Sequence, residues 1–210
     1  MAHQLDKDTL TKLNLHIKYL KDRVFFEPRS AMLHHNLALA YFQKDFVEEA
    51  LSEFKQAIEC DPNHVESYIN LGAIYFQKGD LDQCIAMNRK AIEIDPNQPK
   101  AHANLAFAHL QAGSPEEAIA SSKRAIALVP QFIQAYNTIA VACAQTGDLE
   151  GSIEACQSIV KLNPNFAPAH CNLATVYRMQ GRLDLAKQHY EQAKALGYPM
   201  DPATEAELTQ

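Results

Sequence analysis

The chain is 210 residues long, enough for one or two domains with a buried core. Apolar residues make up 47% and charged residues 21%, a balance that excludes wholesale disorder. A formal charge of −6 excludes the basic face that a nucleic-acid binder needs, so no nucleic-acid partner is expected. The opening MAHQLDKDTL lacks the apolar centre of a signal peptide, and no run approaches the roughly 18 apolar residues of a membrane span. Five cysteines, with no CxxC among them, indicate neither a disulfide framework nor a zinc site. The expectation is a cytoplasmic protein that inserts into no membrane.

An internal period organises the chain. Pro28, Pro62, Pro96, Pro130 and Pro164 stand 34 residues apart, and Gly79, Gly113, Gly147 and Gly181 keep the same interval. A constant period of that size denotes stacked repeats. Rows of 34 run over 31–64, 65–98, 99–132, 133–166 and 167–200.

Residues 1–30 form an incomplete row ahead of these. Leu13, Ile17, Leu20 and Val24 make a single apolar stripe that ends at Glu27-Pro28, which predicts one amphipathic capping helix. Each full row then carries two helices. In the second, Tyr68, Leu71, Gly72 and Tyr75 fall on one face of a first helix, and Gly79 stops it at the position that favours positive φ. Asp80 caps the second helix, whose stripe is Leu81, Cys84, Ile85, Asn88, Ala91 and Ile92, and Asp95-Pro96-Asn97 ends it. Row three opens its second helix with Ser114-Pro115-Glu116-Glu117, the spacing of a capping box. Row one has Asp45 in place of the glycine, so that turn requires a left-handed or capping aspartate. After the fifth row, Asp201-Pro202 predicts a short capping helix over 202–208 in the tail 201–210.

The rows resemble the tetratricopeptide repeat, whose pattern has Leu at position 7, Gly or Ala at 8, Tyr at 11, Ala at 20 and 27, a bulky residue at 24 and Pro at 32. Row one supplies Leu37, Ala38, Tyr41, Ala50, Phe54, Ala57 and Pro62. Row five supplies Leu173, Ala174, Tyr177, Ala186, Tyr190 and Ala193. Row four departs most, with Cys143, Ser152, Cys156 and Ile159 at 11, 20, 24 and 27. The resemblance implies an all-α, right-handed superhelical solenoid of stacked antiparallel helix pairs, with the first helices lining a concave groove.

No catalytic constellation stands out, and a non-enzymatic protein without a cofactor is expected. His34, His102 and His170 share position 4 but lie two rows apart, too far to share an ion whose ligand bonds are ~2 Å long. These histidines, and Cys84, Cys143 and Cys156, read as packing residues.

The first helices carry a second pattern. Position 6 reads Asn36, Asn70, Asn104, Thr138 and Asn172, and position 13 reads Gln43, Gln77, Gln111, Gln145 and Met179. Positions 6 and 13 are seven apart, so both amides lie on one helix face. An amide offers donors and an acceptor together, matching the main chain of an extended peptide. This row of amides resembles the asparagine ladder of the O-linked N-acetylglucosamine transferase repeats. Beside it stand apolar residues at positions 5, 9 and 12, namely Leu39, Phe42, Ile69, Phe76, Phe107 and Leu110. A clamp for a C-terminal carboxylate would need charges that are missing, since His35, Leu39 and Asn104 occupy its key positions. The reading is an adaptor that holds an extended or short helical peptide of a partner protein in the groove of rows one to four. The alternative is a self-assembling scaffold that forms homo-oligomers through its N-terminal helix.

Overall fold

The structure is a computed structural model, and it describes residues 6–199 and 205–207. Among these residues there is no strand, and eleven long α-helices follow in chain order: α1 (Lys7–Phe26), α2 (Ala31–Gln43), α3 (Val47–Cys60), α4 (Val65–Gln77), α5 (Leu81–Ile94), α6 (Pro99–Gln111), α7 (Pro115–Leu128), α8 (Ile133–Thr146), α9 (Leu149–Leu162), α10 (Ala167–Met179) and α11 (Leu183–Ala195). They form two compact units, Met1–Pro96 with α1 to α5 and Asn97–Gln210 with α6 to α11. Within each unit the helices pack as antiparallel pairs, and neighbouring pairs stack on one another. This is the architecture expected from the 34-residue period.

One turn recurs between the two helices of every row. In row two Gly79 takes φ 77° and donates to the Phe76 carbonyl at 3.0 Å, while the Asp80 N–H reaches the Tyr75 carbonyl at 2.9 Å. These two bonds close the end of α4 on itself, so the chain leaves at a fixed angle. Row one makes the same turn without glycine. Asp45 adopts φ 62°, and Phe46 donates to Tyr41 at 3.0 Å, so an aspartate serves in the left-handed position as expected. Asp80 and Asp148 then cap α5 and α9 by accepting from the N–H groups of Gln83 at 3.1 Å and Gly151 at 2.9 Å. The capping box at Ser114 does not form. Ser114 is the N-cap of α7, but its side chain makes no capping bond. Its own N–H is already donated to His109 at 2.9 Å, which leaves Glu117 nothing to accept in return.

In the first unit α1 covers α2 through Leu13, Ile17 and Leu20 against Leu37 and Ala40. A second cluster joins Ala38, Ala50 and Phe54 to Leu71 and Ile74. In the second unit the largest cluster gathers Ile153, Cys156, Ile159, Leu173, Tyr177 and Tyr190. The alanines at positions 8, 20 and 27, such as Ala38, Ala50 and Ala57, or Ala106, Ala118 and Ala125, are wholly buried. At the C-terminal end Arg178 on α10 donates to Glu207 at 2.8 Å, and Tyr190 on α11 donates to Glu205 at 2.5 Å. Residues 205–207 are helical and bond to row five, and the rest of the helix foreseen over 202–208 lies outside the described residues.

Row two replaces the alanine at position 8 by Gly72. A Cβ added to Gly72 would stand 2.3 Å from the side-chain nitrogen of Asn88, a residue that is itself fully buried on α5. Asn88 donates to the Cys84 carbonyl at 2.8 Å and cannot swing into solvent. Replacing Gly72 by Ala therefore lowers stability by roughly 1–3 kcal/mol. Adding Asn88→Ala in the same chain restores most of that loss. Urea unfolding of both single variants and the double variant measures the coupling, and a strictly additive cycle would show that Asn88 is not what excludes a methyl group at position 72.

Candidate functional site

The first helices offer their amides in two layers. Asn36, Asn70, Asn104 and Asn172 are all half-buried, whereas Gln43, Gln77, Gln111 and Gln145 are all exposed. A half-buried amide is held by its surroundings, while an exposed one near the end of its helix stays free to adapt. The break at Thr138 is resolved by its neighbour. Thr138 is buried and donates its hydroxyl to the Gln134 carbonyl at 3.0 Å, so it presents nothing outward. Asn137, one residue earlier, accepts from the side-chain amide of Asn172 at 3.2 Å. This bond joins α8 to α10 and leaves the Asn172 carbonyl and the Asn137 amino group unused by it.

The apolar residues foreseen beside the amides divide into two groups. Leu39, Phe42 and Phe107 are exposed and Phe76 is half-buried, so these four present apolar surface. Ile69 and Leu110 are only 3% and 6% exposed and belong to the core, contrary to expectation. Leu110 packs with Ala118 and Ala142. Ile69 stands at position 5, a register turned toward the helix stack. His35 shows that orientation, since its Nδ1 lies 3.0 Å from the Ser67 hydroxyl on α4.

Histidine has a structural task that the spacing alone did not reveal. At position 4, the Nε2 of His34 donates to the Pro28 carbonyl at 3.0 Å, and that of His170 donates to the Pro164 carbonyl at 2.9 Å. Each ring thereby ties a first helix to the turn six residues before it. The second ring nitrogen meets a different partner in each row. His34 Nδ1 lies 2.6 Å from Glu53, while His170 Nδ1 lies 3.0 Å from Nδ1 of His189. Among the described residues, no group of three His, Cys, Asp or Glu side chains could hold a metal ion.

None of the five cysteines is in a disulfide, and three of them are buried. Burial, and secondarily the neighbouring Cys171, pushes the Cys156 thiol up to about 12; burial takes Cys84 to about 11. Neither is a nucleophile at neutral pH.

Models of the tetratricopeptide repeat match the chain over residues 31–188. They cover residues 31–64, 53–86, 103–167 and 155–188, and a further model described as TPR repeat covers 72–113. The chain belongs to the tetratricopeptide-repeat family. No curated protein matches it. Among solved structures it is similar to YrrB, described as a TPR protein with an unusual peptide-binding site, at 18% identity and a TM-score of 0.75 over 90% of this chain and 97% of that one. It is similar to MamA from Desulfovibrio magneticus RS-1 at 23% identity and a TM-score of 0.74, over 80% of this chain and 94% of the other. PilW, a type IV pilus biogenesis factor, shares 19% identity with a TM-score of 0.74, over 83% and 80% of the two chains. At these identities the likeness concerns the fold.

The histidine pairs make stability depend on pH with a definite sign. Burial, and then the nearby His64, lowers His35 from 6.5 to about 4. Burial, and then His170, also lowers His189. Unfolding returns these rings to the ordinary range near ~6.5, so between there and about 4 the unfolded chain binds more protons than the native one. Stability is therefore fully present above that window and falls as pH drops through it. Urea midpoints followed across the window should decline, and His35→Leu should make the decline shallower. An equal slope in the variant would remove His35 as its cause.

Proposed function

We propose that this chain is a non-enzymatic adaptor whose first-helix faces bind an extended or short helical segment of a partner protein. One observation carries this reading: the first helices of rows one to three repeat an asparagine at position 6 and a glutamine at position 13, half-buried and exposed in turn. Paired amides of this kind complement peptide N–H and C=O groups while reading little of the sequence. Leu39 and Phe42 in the first unit, and Phe107 in the second, add the apolar contacts that select side chains. The likeness to YrrB adds support, because a peptide-binding site is described for that protein. Five cysteines without a disulfide fit a reducing, cytoplasmic setting.

Peptides selected by display on the full chain test the reading by calorimetric titration. Each ladder amide contributes a net ~0.5–1.5 kcal/mol to binding. The Asn36→Ala/Asn70→Ala pair should therefore weaken affinity by roughly 1–3 kcal/mol, about five- to 150-fold. Truncating Leu39 and Phe42 should instead flatten the preference among peptides. A double asparagine variant that melts normally and binds as the parent does would overturn the ladder.

A second reading has its own observation. Helix α1 exposes Leu15, Tyr19, Phe25 and Phe26, the two phenylalanines at 79% and 77%. Such a patch fits a scaffold that self-associates through α1. Light scattering separates the two readings, since concentration-dependent multimers that disappear in Phe25→Ser/Phe26→Ser would favour the scaffold.

A further inference from the structure

Charge is divided unevenly between the two helices of each row. The first helices α2, α4, α6, α8 and α10 contain three Asp, Glu, Lys or Arg residues among them, namely Glu66, Lys100 and Arg178. Helix α3 alone contains five, Glu48, Glu49, Glu53, Lys55 and Glu59. Residues four and seven apart share a helix face, so positions 2, 6, 9 and 13 form one stripe along each first helix, and that stripe holds the amides. Every residue of the stripe except Thr138 is exposed or half-buried. Glu66 and Lys100 are its only charges, one of each sign, and both stand at position 2 in the first turn. From position 6 to position 13 the stripe is neutral in all five rows. The cations that border it are engaged by the chain itself. Lys44, next to Gln43, lies over the ring of Phe46, 4.3 Å from its centre. Lys78, next to Gln77, donates to Glu48 at 2.6 Å. Arg178, at position 12 where row one has Phe42, donates to Glu207 at 2.8 Å.

We propose that the first-helix faces select a partner segment without charge, whose contacting side chains are apolar or neutral polar and exclude Asp, Glu, Lys and Arg. This selectivity rests on the reading of those faces as the ligand side, and it adds the chemical class of the ligand. A charge laid on the stripe gives up water and meets no opposite charge beyond position 2, and desolvation without pairing is costly for either sign. Amides supply hydrogen bonds to a main chain or a neutral side chain, but they do not neutralise a charge. The bordering cations would attract carboxylates if they stood open. Engaged by Phe46, Glu48 and Glu207, they are drawn on less by a ligand acid. The face thus discriminates by withholding counter-charges, and association on it is insensitive to salt.

The test selects a random displayed peptide library on the full chain at about 0.1 M and about 1 M sodium chloride, between which the screening length falls from ~10 Å to ~3 Å. The expected binders lack Asp, Glu, Lys and Arg in the segment that the chain protects. Their affinities should change by less than roughly twofold between the two salts. Replacing the central residue of a binder by Asp or by Lys should weaken it about tenfold or more in either case. Selection on Asn70→Asp/Asn104→Asp, which places a carboxylate on a stripe in each unit, should instead return binders containing Lys or Arg. The pair Gln77→Glu/Gln111→Glu repeats that test at two exposed positions. Parent binders with ionised residues in the protected segment, or with affinities that fall about tenfold at high salt, would overturn the proposal. Neutral binders returned unchanged by both acidic variants would overturn it equally. If charged binders still weaken when the asparagines become alanine, the amide ladder stands without this selectivity. Neutral binders indifferent to those alanines in every row, or no binders at all, overturn the ladder and the selectivity with it.

Discussion

In row one the two helices approach so closely that only a methyl group fits between them. Ala38, Ala50 and Ala57 in row one show the arrangement, each with no exposed surface. That contact depends on two devices. The small residues permit the distance, and the left-handed residue at the turn sets the angle at which the second helix returns. Neither suffices alone, because a correct turn with a bulky residue at position 8 would clash, as the space around Gly72 shows. Once a pair is formed, its remaining apolar stripe must be covered by the next pair, and stacking follows.

Much of this fold is legible in the residues because its determinants are local and repeated. Proline and glycine spacing fixes where helices stop, and small residues at constant register fix which faces meet. Even the exception at Asp45 could be foreseen from chemistry, since a short polar side chain tolerates positive φ. The failed capping box at Ser114 shows the limit of local reading. Its sequence is suitable, but the preceding turn had already claimed the N–H that the box requires. Competition between two motifs for one donor does not show in a sequence pattern.

The candidate site is less legible, for a physical reason. Register assigns a side chain to a helix face, but exposure depends on how the neighbouring helix covers that face. Leu39 and Leu110 are chemically alike and both lie on first helices, yet one is exposed and the other packs with Ala118 and Ala142. Asn137 stands one residue before the break in the row of amides, and its bond to Asn172 depends on the spacing of two helices, which no single row contains. The histidines at position 4 were correctly placed among packing residues, but their bonds to Pro28 and Pro164 needed the turn geometry. Ser152 gave a signal as a departure from the repeat pattern. The departure shows in the sequence, but the burial of that hydroxyl without a partner does not.

Departures from the pattern are not spread evenly along the chain. Rows one and five place Phe54 and Tyr190 at position 24, and these are the two largest fully buried side chains. The rows between them place Asn88, Ser122 and Cys156 there, and among the described residues buried polar atoms without partners occur at Asn88, Ser122 and Ser152, with Arg178 Nε the one case in row five. An interior row of this kind buries less apolar area and carries an unpaired polar group that costs about 1–3 kcal/mol. Each compact unit thus holds one aromatic-centred row and at least one row with a polar centre. In a linear array stability is close to a sum over rows and their interfaces, so the aromatic rows hold each unit together while the polar rows are the ones able to yield.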